Sequence, residues 1–137
     1  MKMKKLYAVL LTVLLTGVLA GGVLMMQSQH SAHATYRQIS ASEAMSLMES
    51  EENYIIADVR TQAEFDAGHI PDAICVPNET IGSTAPAALP DKAQLILVYC
   101  RSGNRSKQAS QKLADIGYTQ VVEFGGIIDW QGEVVKS

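Results

Sequence analysis

The sequence predicts an α/β fold in which a mainly parallel sheet is covered by helices on both faces. Three observations carry this. Tyr54–Val59 (YIIADV) and Leu95–Tyr99 (LILVY) are short runs that are apolar almost throughout, as strands buried on both faces are. Ser40-Ala41-Ser42-Glu43 and Thr61-Gln62-Ala63-Glu64 are capping boxes, in which each end satisfies the other's orphan backbone donor and so opens a helix. Strand and helix signals also alternate along the chain, an order that right-handed crossovers turn into a parallel sheet.

The first helix carries Ala44, Leu47 and Met48 on one face and fades near Ser50. The strand Tyr54–Val59 follows, then a short helix from Thr61 that Gly68 ends. Ala73–Val76 reads as another strand, stopped by Pro77. The stretch from Asn78 to Asp91 is looser and holds Gly82, Pro86 and Pro90. Leu95–Tyr99 runs directly into Cys100. A helix is expected over Ser106–Ile116, with Ala109, Leu113 and Ile116 in phase and Gly117 as its stop. Gln120–Phe124 gives a last strand, followed by Gly125-Gly126 and a short helix through Trp130.

Residues 1–34 are set apart from the domain expected at 35–137. Lys2, Lys4 and Lys5 precede an uncharged run of 21 residues, Leu6–Met26, roughly 31 Å long as a helix. Two readings fit: a signal peptide cut after Ala32-His33-Ala34, or an uncleaved N-terminal anchor holding the membrane through residues 6–26. Both place the domain on the periplasmic or extracellular side, because the lysines stay inside. The remainder carries eight lysines and arginines against all 14 acids, a net charge of about −6. Such a surface does not suit nucleic acid. The two cysteines, Cys75 and Cys100, match no zinc spacing, so neither a metal nor another cofactor is expected.

The segment Cys100-Arg101-Ser102-Gly103-Asn104-Arg105 joins a buried strand to a helix. Gly103 and Asn104 tolerate the unusual backbone angles of so tight a turn. Successive backbone N–H groups then face one point, and the helix beginning near Ser106 aims its positive end there. Arg101 and Arg105 add permanent charge. Together these features favour a thiolate at Cys100 and an anionic ligand above it.

On these residues the chain resembles the rhodanese family. The resemblance rests on Asp58-Val59-Arg60, Glu64-Phe65, Gly68-His69-Ile70-Pro71, Ala73, the run Tyr99–Ser106, Leu113, Gly117-Tyr118, Gly125-Gly126 and Trp130. It covers roughly residues 36–132. It implies a rhodanese-like fold with a five-stranded, mainly parallel sheet. It also implies a sulfurtransferase in which the Cys100 thiolate takes the outer sulfur of thiosulfate, or a similar small anion, and passes it as a persulfide to cyanide or a thiol. Arg101, Ser102, Gly103, Asn104 and Arg105 would then hold the donor, with Asp58, Arg60 and Ser106 in support. A persulfide carrier or sensor serving a protein partner fits the same loop. Related cysteine phosphatases use a C-x5-R loop, whereas Cys100 to Arg105 is C-x4-R, a ring that suits one sulfur atom better than a phosphoryl group.

His69 reads as structural, and Trp130 and Tyr118 as core anchors. Cys75 reads as a buried thiol, with a disulfide to Cys100 left open by the sequence. Asp72 stands where the family has glycine, and aspartate tolerates the left-handed turn expected there.

Overall fold

The computed structural model describes residues 33–137; the apolar run 6–26 lies outside the described residues. The five strands are β1 (Arg37–Gln38), β2 (Tyr54–Asp58), β3 (Ile74–Cys75), β4 (Leu95–Cys100) and β5 (Val121–Gly126). The helices are α1 (Ala41–Ser50), α2 (Gln62–Ala67) and α3 (Asn104–Asp115), with 3-10 turns at Asn78–Thr80 and Ile127–Asp129. The strands form one sheet in the order β1-β5-β4-β2-β3, and every pairing is parallel.

Both capping boxes form. Ser40 Oγ accepts from Glu43 N at 3.1 Å while Glu43 accepts from Ser40 N at 2.7 Å. Thr61 and Glu64 repeat the exchange at 3.2 and 3.0 Å. Alternation along the strands then divides the core in two. Ala57, Val59, Ile96, Val98, Cys100 and Val121 face α3, where Ala109 and Leu113 cover them. Ile56, Leu97, Tyr99, Val122 and Phe124 face the opposite side, against Ala44 and Leu47 of α1 and Phe65 of α2. This division puts the side chain of Cys100 on the α3 face and that of its neighbour Tyr99 on the other.

Several boundaries differ from the sequence reading, among them the end of β5, which runs through Gly126 instead of stopping at Phe124. α3 starts at Asn104, two residues before Ser106, because Gly103 alone makes the turn with φ at 104° and Asn104 is already helical. β3 keeps only Ile74–Cys75 of the expected Ala73–Val76. β1 is an exposed two-residue strand on the sheet edge, too short for any periodic signal. The short helix expected before Trp130 is a single 3-10 turn, Ile127–Asp129. Asp72 takes the left-handed conformation expected of it, with φ at 65°. Tyr118 is buried, its hydroxyl donating to Leu89 O, and the Trp130 ring packs against Phe124 at 6.0 Å.

Candidate functional site

β4 delivers Cys100 to the carboxyl edge of the sheet, and the chain turns at once into α3. The thiol is 1 % exposed and forms the floor of the turn. Gly103 N donates to Cys100 Sγ at 3.0 Å, and Sγ lies 3.4 Å from Ser106 Oγ. Burial alone would push the thiol up. Hydrogen bonds from the Ser106 hydroxyl and from the backbone N–H groups of Ser106, Gly103 and Ser102 outweigh it, so the Cys100 pKa falls below its ordinary value. The nest is therefore built of backbone and one hydroxyl.

The two arginines of the turn are placed differently from each other. Arg105 is turned to α2, where Nη1 meets Glu64 Oε2 at 2.7 Å and Nη2 meets Oε1 at 2.9 Å. Its charge is thus already matched, and the pair holds the Glu64 carboxyl down to about 2. Arg101 is exposed, and among the described residues its side chain has no hydrogen-bond or ion-pair partner. It is the free cation of the turn. Ser102 and Asn104 are exposed beside it, while Gly103 is buried against β5.

Asp58 and Arg60 do form a polar unit, but on the Tyr99 side of the sheet. Arg60 Nη2 donates to Asp58 Oδ2 and to Gly68 O, each at 2.6 Å, and its guanidinium lies 5.7 Å from the Tyr99 ring centre. The pair ties β2 to the end of α2 and touches none of the loop residues. His69 is likewise structural: its ring stacks on Phe65 at 3.8 Å, and its backbone pairs with Val135 of the C-terminal tail. Cys75 also sits apart. It aligns with Asp58 on the face away from α3, and β2 separates β3 from β4, so the two thiols lie about 10 Å apart or more on opposite faces. Both cysteines are free. No disulfide joins them.

The sequence reading did not single out Glu123. It is 2 % exposed in β5, on the same face as Val98 and Cys100, and its Oε1 accepts from Ser106 Oγ at 2.6 Å and from Gly125 N at 2.8 Å. An acid inside Val121-Val122-Glu123-Phe124 interrupts an apolar strand, and that interruption was the available signal. A cleft of about 330 Å³ lies along α1 against Arg37, Glu43 and Leu47, remote from the loop. The candidate site is the nest around one sulfur atom.

Comparison with known proteins places the chain in a family. The family profile of the rhodanese-like domain matches residues 40–133. The thiosulfate sulfurtransferase PspE of Escherichia coli is 36 % identical over 72 residues, covering 53 % of this chain and 69 % of that protein. The thiosulfate sulfurtransferase GlpE of Coxiella burnetii is 33 % identical over 97 residues, covering 70 % and 88 %. Among solved structures, the rhodanese-like domain of an Anabaena protein superimposes with a TM-score of 0.66 at 28 % identity, covering 75 % of this chain and 81 % of that one. A rhodanese from E. coli, solved with anions, gives a TM-score of 0.56 at 33 % identity, covering 61 % and 99 %. The chain belongs to the rhodanese-like domain family, and its enzyme class is that of the rhodanese-type sulfurtransferases.

Proposed function

We propose that the protein moves the outer sulfur of thiosulfate, or of a similar small anionic donor, to a thiol or cyanide through a persulfide on Cys100. The observation that carries this reading is the nest: a thiol at a strand end, its pKa lowered by the hydroxyl and three backbone N–H groups that surround it. The thiolate attacks the outer sulfur of the donor. A bond forms between Sγ and that sulfur as the donor's own S–S bond breaks, and sulfite leaves with the electron pair. The terminal sulfur of the persulfide then carries the negative charge, within reach of the same donors. Arg101 guides the anion in, and Ser102, Gly103, Asn104 and Ser106 shape the loop. Arg105 contributes only when it leaves Glu64. The relatives named thiosulfate sulfurtransferase support thiosulfate as the donor.

Thiocyanate formation from thiosulfate and cyanide tests this. Multiple turnovers by the wild type and none by Cys100→Ser are expected; equal rates in both would overturn it. A second reading, a persulfide carrier for a protein partner, is favoured by one observation, the neutralisation of Arg105 by Glu64. Efficient sulfur loading with slow turnover of small acceptors would select it. We also propose that the domain works on the outer side of a membrane, on the strength of the lysine-led apolar run 6–26.

A further inference from the structure

A buried carboxylate beside a thiol that must ionise is an expensive neighbour. Glu123 and a Cys100 thiolate would be two negative charges joined through a single hydroxyl, all three groups being buried. Among the described residues no cation pairs with Glu123: the two ion pairs are Arg60–Asp58 and Arg105–Glu64. The groups that face Glu123 can be named element by element. β4 presents Val98 and the thiol of Cys100, α3 presents the Ser106 hydroxyl, and β5 itself supplies Gly125 N. β1 contributes Gln38 in register and the backbone N–H of Ile39, which donates to Glu123 O at 2.9 Å. Of the charged side chains on these elements and the loop, Arg37, Arg101, Lys107 and Asp115 are exposed, Arg105 is paired with Glu64, and Lys112 donates to Asn78.

Sγ, Ser106 Oγ and Glu123 Oε1 follow one another at 3.4 and 2.6 Å. A hydroxyl has one proton. With Glu123 ionised, the short contact assigns that proton to the carboxylate, and the Ser106 oxygen accepts from the thiol. We propose that Glu123 takes up, through Ser106, the proton that Cys100 releases on becoming a nucleophile. The inference rests on the reading of Cys100 as the sulfur carrier.

In this step the Cys100 S–H bond breaks and its proton forms an O–H bond on Ser106. The original hydroxyl proton leaves Ser106 and forms an O–H bond on Glu123 Oε1. Nothing is oxidised or reduced, and one negative charge moves from the carboxylate to the sulfur. Ser106 then donates to the thiolate instead of accepting from the thiol. The buried site holds a single negative charge before and after, and the persulfide anion inherits that arrangement. Glu123 meets neither donor nor the reacting sulfur directly, so it is a positioning residue.

The test is the pH profile of Cys100 alkylation by iodoacetamide, read on the Cys100 peptide by mass spectrometry in the full chain. Thiol and acid sharing one proton titrate as a pair, so the wild type should keep a plateau of reactivity on the acid side of its main transition. Glu123→Gln retains an acceptor oxygen for Ser106 and Gly125 but cannot take the proton. Its plateau should vanish, with the rate falling about tenfold per pH unit below the thiol pKa. Ser106→Ala should lose the plateau too, and it carries the test alone if Glu123→Gln fails to fold. A Glu123→Gln protein that reacts as fast as wild type or faster throughout the acid range would show a mere negative neighbour and overturn the relay. A plateau surviving in Ser106→Ala would overturn its route. Sulfur loading from thiosulfate is measured on the same samples. A wild type that loads sulfur yet titrates in one step removes the relay alone, whereas one that loads none removes the proposed function itself.

Discussion

Arg105 and Glu64 face each other through two parallel hydrogen bonds of 2.7 and 2.9 Å, so one arginine of the loop is held by a helix cap. Glu64 is at once the third residue of α2, closing the capping box with Thr61, and the partner of the loop cation. The consequence is kinetic. Glu64→Gln keeps an acceptor for Thr61 N but releases Arg105 to an incoming anion. Its KM for thiosulfate should fall roughly threefold to fivefold, equivalent to about 0.6–1 kcal/mol for a partly exposed pair. An unchanged KM in steady-state assays would mean that Arg105 has no part in holding the donor.

The same pair sets a pH window for stability. Glu64 titrates at about 2 in the folded domain against an ordinary 4.5. A carboxyl whose pKa is depressed by folding contributes its full stability above the ordinary value and loses it as pH falls towards the folded one. Wild-type stability, followed by urea unfolding, should therefore decline from about pH 4.5 towards about pH 2. Glu43 is also lowered, by the backbone N–H and hydroxyl of Ser40, and contributes to that decline. The difference between wild type and Glu64→Gln isolates Glu64 and should shrink as the pH drops through the window.

Gly126 fixes the back of the loop. A Cβ there would stand 2.6 Å from Ser102 Cα and closer still to the Arg101 carbonyl, and all of these are backbone atoms. Gly126→Ala must push the loop outward, a misplacement that costs on the order of a hundredfold in rate when it reaches reacting atoms. Overpacking should add about 1–3 kcal/mol of destabilisation. Gly82, with nothing within 4 Å of such a Cβ, is the control. Gly82→Ala should match wild type in both thiocyanate assay and thermal unfolding.

Cys75 lies apart from the Cys100 nest. Burial pushes its thiol up, and the sheet keeps it on the face opposite Cys100. Cys75→Ser should transfer sulfur at the wild-type rate. Oxidation of the wild type should leave no Cys75–Cys100 cross-link in non-reducing peptide maps.

Much of this fold was legible because its signals are local. Two capping boxes, two buried runs and the stops at Gly68 and Gly117 are each settled within a few residues, and the structure reproduces them. β1 was not legible, since two exposed residues join the sheet only because β5 offers a free edge. The site divides in the same way. Cys100 at a strand end and Gly103 at the turn follow from local sequence. The partners of Arg105 and Ser106 do not, because Glu64 is 41 residues from the first and Glu123 is 17 from the second. Only the packing of α2 and β5 around α3 reveals that one loop cation is neutralised. The same packing places a carboxylate under the nest. Asp58 shows the limit of sequence proximity to the site: strand alternation turns it, and Arg60 with it, to the Tyr99 side of the sheet, away from Cys100.

The most direct measurement is the intact mass of the protein after exposure to thiosulfate, with the added atom located by peptide mapping. A gain of one sulfur atom on Cys100 is expected in the wild type, removed by cyanide or a thiol, with no gain in Cys100→Ser. No gain in the wild type, or the same gain in both proteins, would contradict it.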